Sequence, residues 1–298
     1  MDGELLSYLY HRLLHSDSAR VPPGCTYSDG VVALLFLYGA LCDRSPRWAA
    51  DPKHWPAWLR RVLPRPSYSQ LTRRLKRPSV RELVDRLGTE CRDRLPRPPG
   101  GEAERVVDGK PLVVGGYTKD PAGGPVPDGW AKGYKLHAVV DRPRGAVEAF
   151  EVTALDAGEP TVARRLVAGL DLAHVLLRGD ANYDANPLYA AVADRGGRLL
   201  APRKRPGTGL GHHRHHPDRL RAVAELERDE GHAGHLGEHR RHRIRVEQAF
   251  AHLTNLPCGL SPLPNFVRRL PRVQRWVAAK ITLFHAYRML LLQGKIAA

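Results

Sequence analysis

The order of strand-like and helix-like segments after residue 104 places the strongest constraint on the fold of this chain. Three segments rich in β-branched residues predict strands joined by turns, at residues 105–114, 134–141 and 146–155. Helices and apolar strands then alternate, with helices at 159–170 and 186–196 and strands at 174–180 and 198–204. Strand-helix-strand connections imply parallel pairing. We therefore expect an α/β fold whose mixed sheet is antiparallel first, parallel later and flanked by helices.

This order of elements is that of an RNase H-like fold, and a break in composition separates it from the N-terminal part. The run RLPRPPGGEAE is typical of a linker. We predict a helical, DNA-binding region over residues 1–98, a linker over 99–104 and an RNase H-like domain over 105–298. The polar, His-rich residues 206–237 are predicted to form a surface insertion, and a long amphipathic helix is expected over 272–292.

The net charge favours a polyanionic partner. The chain has 47 Lys and Arg residues against 31 Asp and Glu residues, a formal charge of +16. Cationic side chains bind nucleic acid by releasing the counterions of its phosphates. Arginine outnumbers lysine, so a GC-rich genome is an alternative cause of the basic composition. The hydrophobic fraction of 42% argues against bulk disorder, and four widely spaced cysteines predict reduced thiols rather than a disulfide framework.

The N-terminal sequence favours a cytoplasmic protein. Asp2 and Glu4 stand where a signal peptide needs positive charge. The longest apolar stretch, from Gly30 to Cys42, is shorter than the roughly 20 residues that span a bilayer. We expect no membrane association.

Two short helices near residue 77 could form a helix-turn-helix. Ser67 stands at the start of the first helix, and Ser79 with Glu82 is predicted to form a capping box at the start of the second. Arg73, Arg74 and Lys76 would then face DNA. A helical subdomain with a solvated basic surface is the alternative interpretation.

Three acidic residues lie where a carboxylate is costly unless it is paired or binds a metal. Asp108 lies inside the apolar strand VVDGKP, Asp180 ends the apolar run HVLLRGD, and Glu247 lies on an arginine-rich helix. Carboxylate oxygens suit Mg²⁺ or Mn²⁺, and two such ions can activate the attacking oxygen and stabilise the leaving oxygen of a phosphodiester. The sequence thus predicts a metal-dependent catalytic triad.

Each acidic residue also has a structural interpretation. Asp108 precedes Gly109 in a dipeptide common in hairpin turns. Asp184 competes with Asp180, but it stands at the expected N-cap of the helix that follows, so we assign it to structure. Glu247 could pair with Arg243 on an exposed helix.

Four motifs in this order resemble those of the DDE transposases of bacterial insertion sequences. They are VVDGKP, WAKGYKLHAVVD, RGDANYDANPLY and RIRVEQAF. The resemblance is to the group whose glutamate lies in a Tyr-Arg-Glu-Lys signature. It implies an RNase H-like core in which an Asp-Asp-Glu triad binds two Mg²⁺ or Mn²⁺ ions, nicks transposon ends and joins the 3′-hydroxyl to target DNA. The matching residues are Asp108, Asp180 and Glu247.

The resemblance also implies residues that contact DNA. Arg243 matches the signature arginine, whereas Arg240 and Thr254 occupy the positions of the signature tyrosine and lysine. Arg240 and Arg243 are expected near the cleaved phosphate. Lys135 and His137 alternate along one face of a strand, as phosphate contacts would.

The implied partner is double-stranded DNA, both terminal inverted repeats and target, bound by a homodimer in the bacterial nucleoid. Two other functions remain open at this stage. One is an inactive or domesticated transposase that only binds DNA. The other is a metal-dependent nuclease without strand transfer.

Overall fold

The computed structural model describes residues 2–15, 20–97, 103–114, 123–126, 129–205, 209–210, 214–227, 237, 239, 247–248, 250–251, 253–254, 260 and 263–296. The chain forms two compact units. One contains Met1–Leu95 and Leu253–Ala298 and is called the helical unit below; the other contains Pro96–His252 and is called the sheet unit.

The sheet unit is built on a mixed sheet with six strands among the described residues. They are β1 (Glu104–Val114), β2 (Gly123–Val126), β3 (Gly129–Asp141), β4 (Ala146–Ala154), β5 (Leu176–Arg178) and β6 (Arg198–Leu200). β1 is central, because it pairs antiparallel with β3 on one side and parallel with β5 on the other. β2 and β4 pair antiparallel with β3, and β6 pairs parallel with β5. The expected α/β architecture is confirmed, and β2 is an addition that the sequence did not predict.

Three helices of the sheet unit build its core: α7 (Glu159–Ala168), α8 (Asn186–Ala193) and α9 (Pro217–Glu227). α9 corrects the prediction that residues 206–237 form only a surface insertion. Its residues Ala222 and Leu226 belong to the same buried cluster as Val107 of β1. The prediction was wrong here because few apolar residues, one helical turn apart, are enough to anchor a helix in a strongly charged stretch.

In the described residues of the helical unit, a 3₁₀ helix spans Pro52–His54 and seven α-helices have defined bounds. The α-helices are α1 (Asp2–Leu14), α2 (Asp29–Leu41), α3 (Pro46–Ala49), α4 (Ala57–Val62), α5 (Tyr68–Arg74), α6 (Pro78–Asp93) and α10 (Leu270–Leu292). Nowhere in the described ranges is a helix long and apolar enough to cross a membrane.

α10 lies in the helical unit, although residues 105–298 were all expected to form one domain. α10 packs on α6 and α2 and therefore belongs to the helical unit. Thr282 Oγ1 donates a hydrogen bond to the carbonyl of Val84 at 3.2 Å. Gly88 permits this approach, since a Cβ atom there would lie 2.7 Å from Thr282 Oγ1. Periodicity predicted the helix but could not indicate which unit its buried face would contact.

The helix start predicted at Ser67 is confirmed, whereas the cap predicted at Ser79 is not. Ser67 and Gln70 form a reciprocal capping box at the start of α5. The capping box predicted for Ser79 and Glu82 is wrong, because α6 begins at Pro78 and Arg77 is its N-cap without a side-chain hydrogen bond. A proline in the first turn of the helix moves Ser79 inside it.

Candidate active site

Asp108 lies in β1, and Asp180 lies two residues beyond the end of the neighbouring parallel strand β5. In the register of β1 and β5, Val106 lies opposite Arg178. Asp108 and Asp180 each follow these partners by two residues, so the alternation of side chains directs both to one face of the sheet. The carboxyl ends of parallel strands are where α/β sheets place their ligands. The pairing of β1 and β5 therefore brings the two predicted carboxylates to one region.

Local hydrogen bonds fix both carboxylates. The Oδ1 atom of half-buried Asp108 accepts a hydrogen bond from the backbone nitrogen of Gly109 at 2.8 Å. Asp180 is the N-cap of a short 3₁₀ helix, Ala181–Tyr183, and its Oδ1 atom accepts from the nitrogen of Asn182 at 2.7 Å. Gly179 is needed beside Asp180, because a Cβ atom there would lie 2.8 Å from Cβ of Tyr183.

Glu247 lies in a helical stretch but is exposed, while Phe250 and Leu253 near it are buried. Within the described part of the chain, no group of three His, Cys, Asp or Glu side chains lies close enough to hold a metal ion. The structure thus brings Asp108 and Asp180 to one face without assembling the three-carboxylate cluster. Arg240 and Arg243 lie outside the described residues, and Thr254 is half-buried in the same helical stretch.

A buried ionic network lies on the same face of the sheet and includes Arg178, two residues before Asp180. Glu104 accepts a hydrogen bond from Arg178 Nε at 2.6 Å and also pairs with Arg142. Fully buried His239 places Nε2 at 3.1 Å from the carbonyl oxygen of Gly179, to which it donates, and Nδ1 at 3.5 Å from Arg178. His239 thus contacts the backbone of the residue that precedes Asp180.

Sequence reasoning missed this network, although one signal was present. Arg178 is a charged residue in the apolar strand HVLLRGD. A buried cation needs a partner, so Arg178 alone predicts a buried carboxylate. Nothing local identifies that carboxylate as Glu104, which lies 74 residues earlier.

Lys135 and His137 do share one face of β3, but the structure gives each a protein partner. Lys135 Nζ lies 2.9 Å from Glu159 Oε1, and only 11% of the lysine side chain is exposed. His137 Nε2 donates to Thr153 Oγ1 at 3.0 Å, since that hydroxyl itself donates to the carbonyl of Ala154. Their burial contradicts the phosphate contacts predicted for both residues. The face of β3 that α7 covers is protein core and not a DNA surface.

Of the three N-terminal DNA contacts predicted, Arg74 is the one that the structure contradicts. Its side chain is 6% exposed, pairs with Asp29 and donates to the carbonyl of Tyr27. Arg73 and Lys76 are exposed. Helical periodicity explains the difference, because Leu71 and Arg74 share the buried side of α5.

Asp184 is structural, as expected, but it is not an N-cap. Its carboxylate accepts two hydrogen bonds from Arg219 of α9, at 2.6 and 2.7 Å, and one from the backbone nitrogen of Lys204. The N-cap of α8 is Ala185. Arg219, which pairs with Asp184, lies on α9, the helix that the sequence did not predict.

The chain matches a known protein family over residues 99–282, the transposase DDE domain. This range is more than half of the chain. The chain belongs to the DDE transposase family. No curated protein sequence matches it. Among solved structures, the cryo-EM structure of a piggyBac transposase synaptic complex with hairpin DNA is similar, with 13% sequence identity, a TM-score of 0.49, and coverage of 100% of this chain and 74% of that one.

The matched range of this DDE transposase contains Asp108, Asp180 and Glu247 and extends into α10. The family domain therefore continues past the sheet unit into residues that pack with the N-terminal helices.

The buried network predicts an unequal effect of two similar substitutions. Glu104→Gln leaves Arg178 and Arg142 without their carboxylate in a site where Glu104 is 2% exposed. We expect a loss of about 3–5 kcal/mol in the free energy of unfolding. Glu151→Gln is the matched control, because Glu151 also pairs with an arginine, Arg165, but this pair is exposed and should cost less than about 1 kcal/mol. Urea unfolding of both variants measures the difference, and equal losses would contradict the account.

Burial of His137 predicts a pH dependence of stability. Burial, and secondarily the Lys135 ammonium group, lower the pKa of His137 from 6.5 to about 4. Between these values the unfolded chain binds a proton that the folded chain does not, so stability falls with decreasing pH. The decrease from pH 6.5 to 4 should reach about 3 kcal/mol for this group.

The variant His137→Gln keeps a nitrogen donor for Thr153 and removes the titration. We expect its unfolding free energy to fall less steeply than wild type over that pH range. His285, whose pKa burial lowers to about 3, is present in both proteins and cancels in the difference. Parallel pH profiles of the two proteins would refute the assignment.

Proposed function

We propose that this DDE transposase is a Mg²⁺-dependent enzyme of a bacterial insertion sequence, which cuts transposon ends and joins their 3′-hydroxyl to target DNA. The observation that carries the proposal is the placement of Asp108 and Asp180 two residues beyond a shared register position on β1 and β5. Family membership and a formal charge of +16 support the same function.

The donor chemistry of the two aspartates fits a divalent ion. Carboxylate oxygens are preferred ligands of Mg²⁺ and Mn²⁺, and the aspartates offer them from within β1 and from just beyond the end of β5. Glu247 is proposed as the third ligand from its motif. When bound, two such ions supply activation of the attacking oxygen and charge neutralisation at the leaving oxygen.

The other residues of the site would position the carboxylates and the DNA. The hydrogen bonds from Gly109 and Asn182 hold the Asp108 and Asp180 side chains in defined orientations. Preorganisation of this kind lowers the cost of aligning the reacting groups. Arg243 is proposed to bind the scissile phosphate, since a guanidinium group can donate two parallel hydrogen bonds to a phosphate. Arg240 would add a second cationic contact in place of the signature tyrosine.

The partner is proposed to be double-stranded DNA, as terminal inverted repeats and as target, in the bacterial nucleoid. Because two ends must be joined to one target, a homodimeric synaptic complex is expected from the family resemblance. Membership in the Tyr-Arg-Glu-Lys group rests on the Arg243 and Glu247 spacing.

The test compares Mg²⁺-dependent nicking and joining by wild type, Asp180→Asn and Asp194→Asn on labelled duplex DNA that carries the element's own ends. Asp194 is an exposed residue at the end of α8 and serves as the control for loss of one carboxylate. We expect Asp180→Asn to reduce nicking by at least about 100-fold, with DNA binding in EDTA unchanged, and Asp194→Asn to behave like wild type.

Three results would contradict the proposal in different ways. Full activity of Asp180→Asn would remove this residue from the site. Nicked product without joined product from wild type would favour a nuclease. Binding by wild type without either product would favour a protein that only occupies DNA.

A further inference from the structure

A groove of about 650 Å³ lies within the helical unit, between α3, α5, α10 and the segment before α10. Five cationic side chains line it, and none of its lining residues is acidic: Arg47, Arg73, Lys76, Arg272 and Arg275. They come from three helices and from residue 76 just after α5. The groove therefore gathers positive charge from parts of the chain that lie about 200 residues apart.

These cations differ from two other arginines of the helical unit, which pair with carboxylates. Arg12 pairs with Glu90, and Arg74 pairs with Asp29. In the described ranges, no ion pair is formed by any of the five groove cations. Burial, with the charges of Arg272 and Arg81, lowers the pKa of half-buried Arg275. Cations held together without an internal counterion favour an external anion.

Aromatic side chains complete the lining. Tyr68 is 48% exposed at the first turn of α5. Phe266 and Trp276 pack edge to face, with their ring centroids 5.4 Å apart. A positive groove with an exposed aromatic side chain in its lining suits a sugar-phosphate backbone, whose phosphates would contact the cations and whose deoxyriboses would contact Tyr68. An acidic polypeptide would pair with the cations of the groove but would leave its aromatic side chains without a matching group.

We propose that this groove binds the backbone of one strand of duplex DNA, with Arg272 and Arg275 of α10 and Arg73 and Lys76 of the α5 region contacting adjacent phosphates. This inference rests on the proposed function and deepens it, because it makes the C-terminal helix part of the DNA-binding surface. Guanidinium groups bind phosphate oxygens in a bidentate manner. Contacts of this kind position the DNA without reading its sequence.

The test uses fluorescence anisotropy with a random-sequence duplex of about 30 base pairs in EDTA, over a range of salt concentrations. The groove variant is Arg272→Ala with Arg275→Ala. The matched control is Arg60→Ala with Arg61→Ala, which removes two exposed cations of α4 outside the groove. We expect the groove variant to bind at least about tenfold more weakly near 0.2 M salt, with a log-log salt slope lower by about 2. The control should change neither quantity by a comparable amount.

Further variants separate loss of contact from loss of folding. Arg272→Lys with Arg275→Lys keeps both charges and should keep the salt slope of wild type. Thermal unfolding should show that the alanine variant stays folded, since removal of the half-buried Arg275 relieves a desolvation cost. Polyglutamate at equal charge concentration should compete poorly with the duplex.

Two outcomes would overturn the groove proposal: an unchanged salt slope in the folded groove variant, or an equal loss in the control variant. Because binding is measured in EDTA, either result leaves the nicking reaction of wild type to be judged separately. Conversely, a protein that binds DNA through the groove but never nicks it would contradict the proposed enzyme and leave this inference intact.

Discussion

The pairing of β1 with β5 is the constraint on which the rest of the candidate site depends. It sets Val106 opposite Arg178, and Asp108 in β1 and Asp180 just past β5 each follow this register position by two residues. The same face holds the Glu104–Arg178 ion pair at 2.6 Å, which joins these two strands through buried side chains. Backbone pairing and a buried ion pair thus fix the same register, and an error in it would direct the aspartates to different faces.

The cationic side chains have different surroundings in the two units. In the sheet unit, buried arginines have carboxylate partners, and Arg219 and Arg105 pair with Asp184 and Glu148. In the groove of the helical unit, cations cluster among aromatic side chains without lining carboxylates. Paired charges stabilise the fold only when both partners are present, whereas clustered like charges store repulsion that a polyanion relieves. The arginines behind the net charge of +16 therefore fall into two groups, those in ion pairs and those clustered in the groove.

The sequence predicted most of the sheet because five of its strands are rich in apolar residues and separated by turns, so their order indicated the mixed topology. It missed β2, whose sequence GGPV lacks a strand pattern. The position of Asp108 and Asp180 followed from the same pattern. Burial was harder to predict: Arg74, Lys135 and His137 have polar side chains that local periodicity cannot distinguish from surface residues, and their partners Asp29, Glu159 and Thr153 lie elsewhere in the chain. The missed helix α9 and the location of α10 likewise depend on long-range packing, which short sequence windows do not contain.

Asp108 and Asp180 are proposed to hold divalent ions, and metal-directed cleavage of the protein tests this proposal most directly. Fe²⁺ can replace Mg²⁺ at oxygen ligands and, with ascorbate and peroxide, cuts the polypeptide near the bound ion. Mass spectrometry of the fragments should find cuts beside Asp108 and Asp180 that excess Mg²⁺ suppresses. Cuts confined to the His-rich residues 212–216, or none near either aspartate that Mg²⁺ suppresses, would contradict the account.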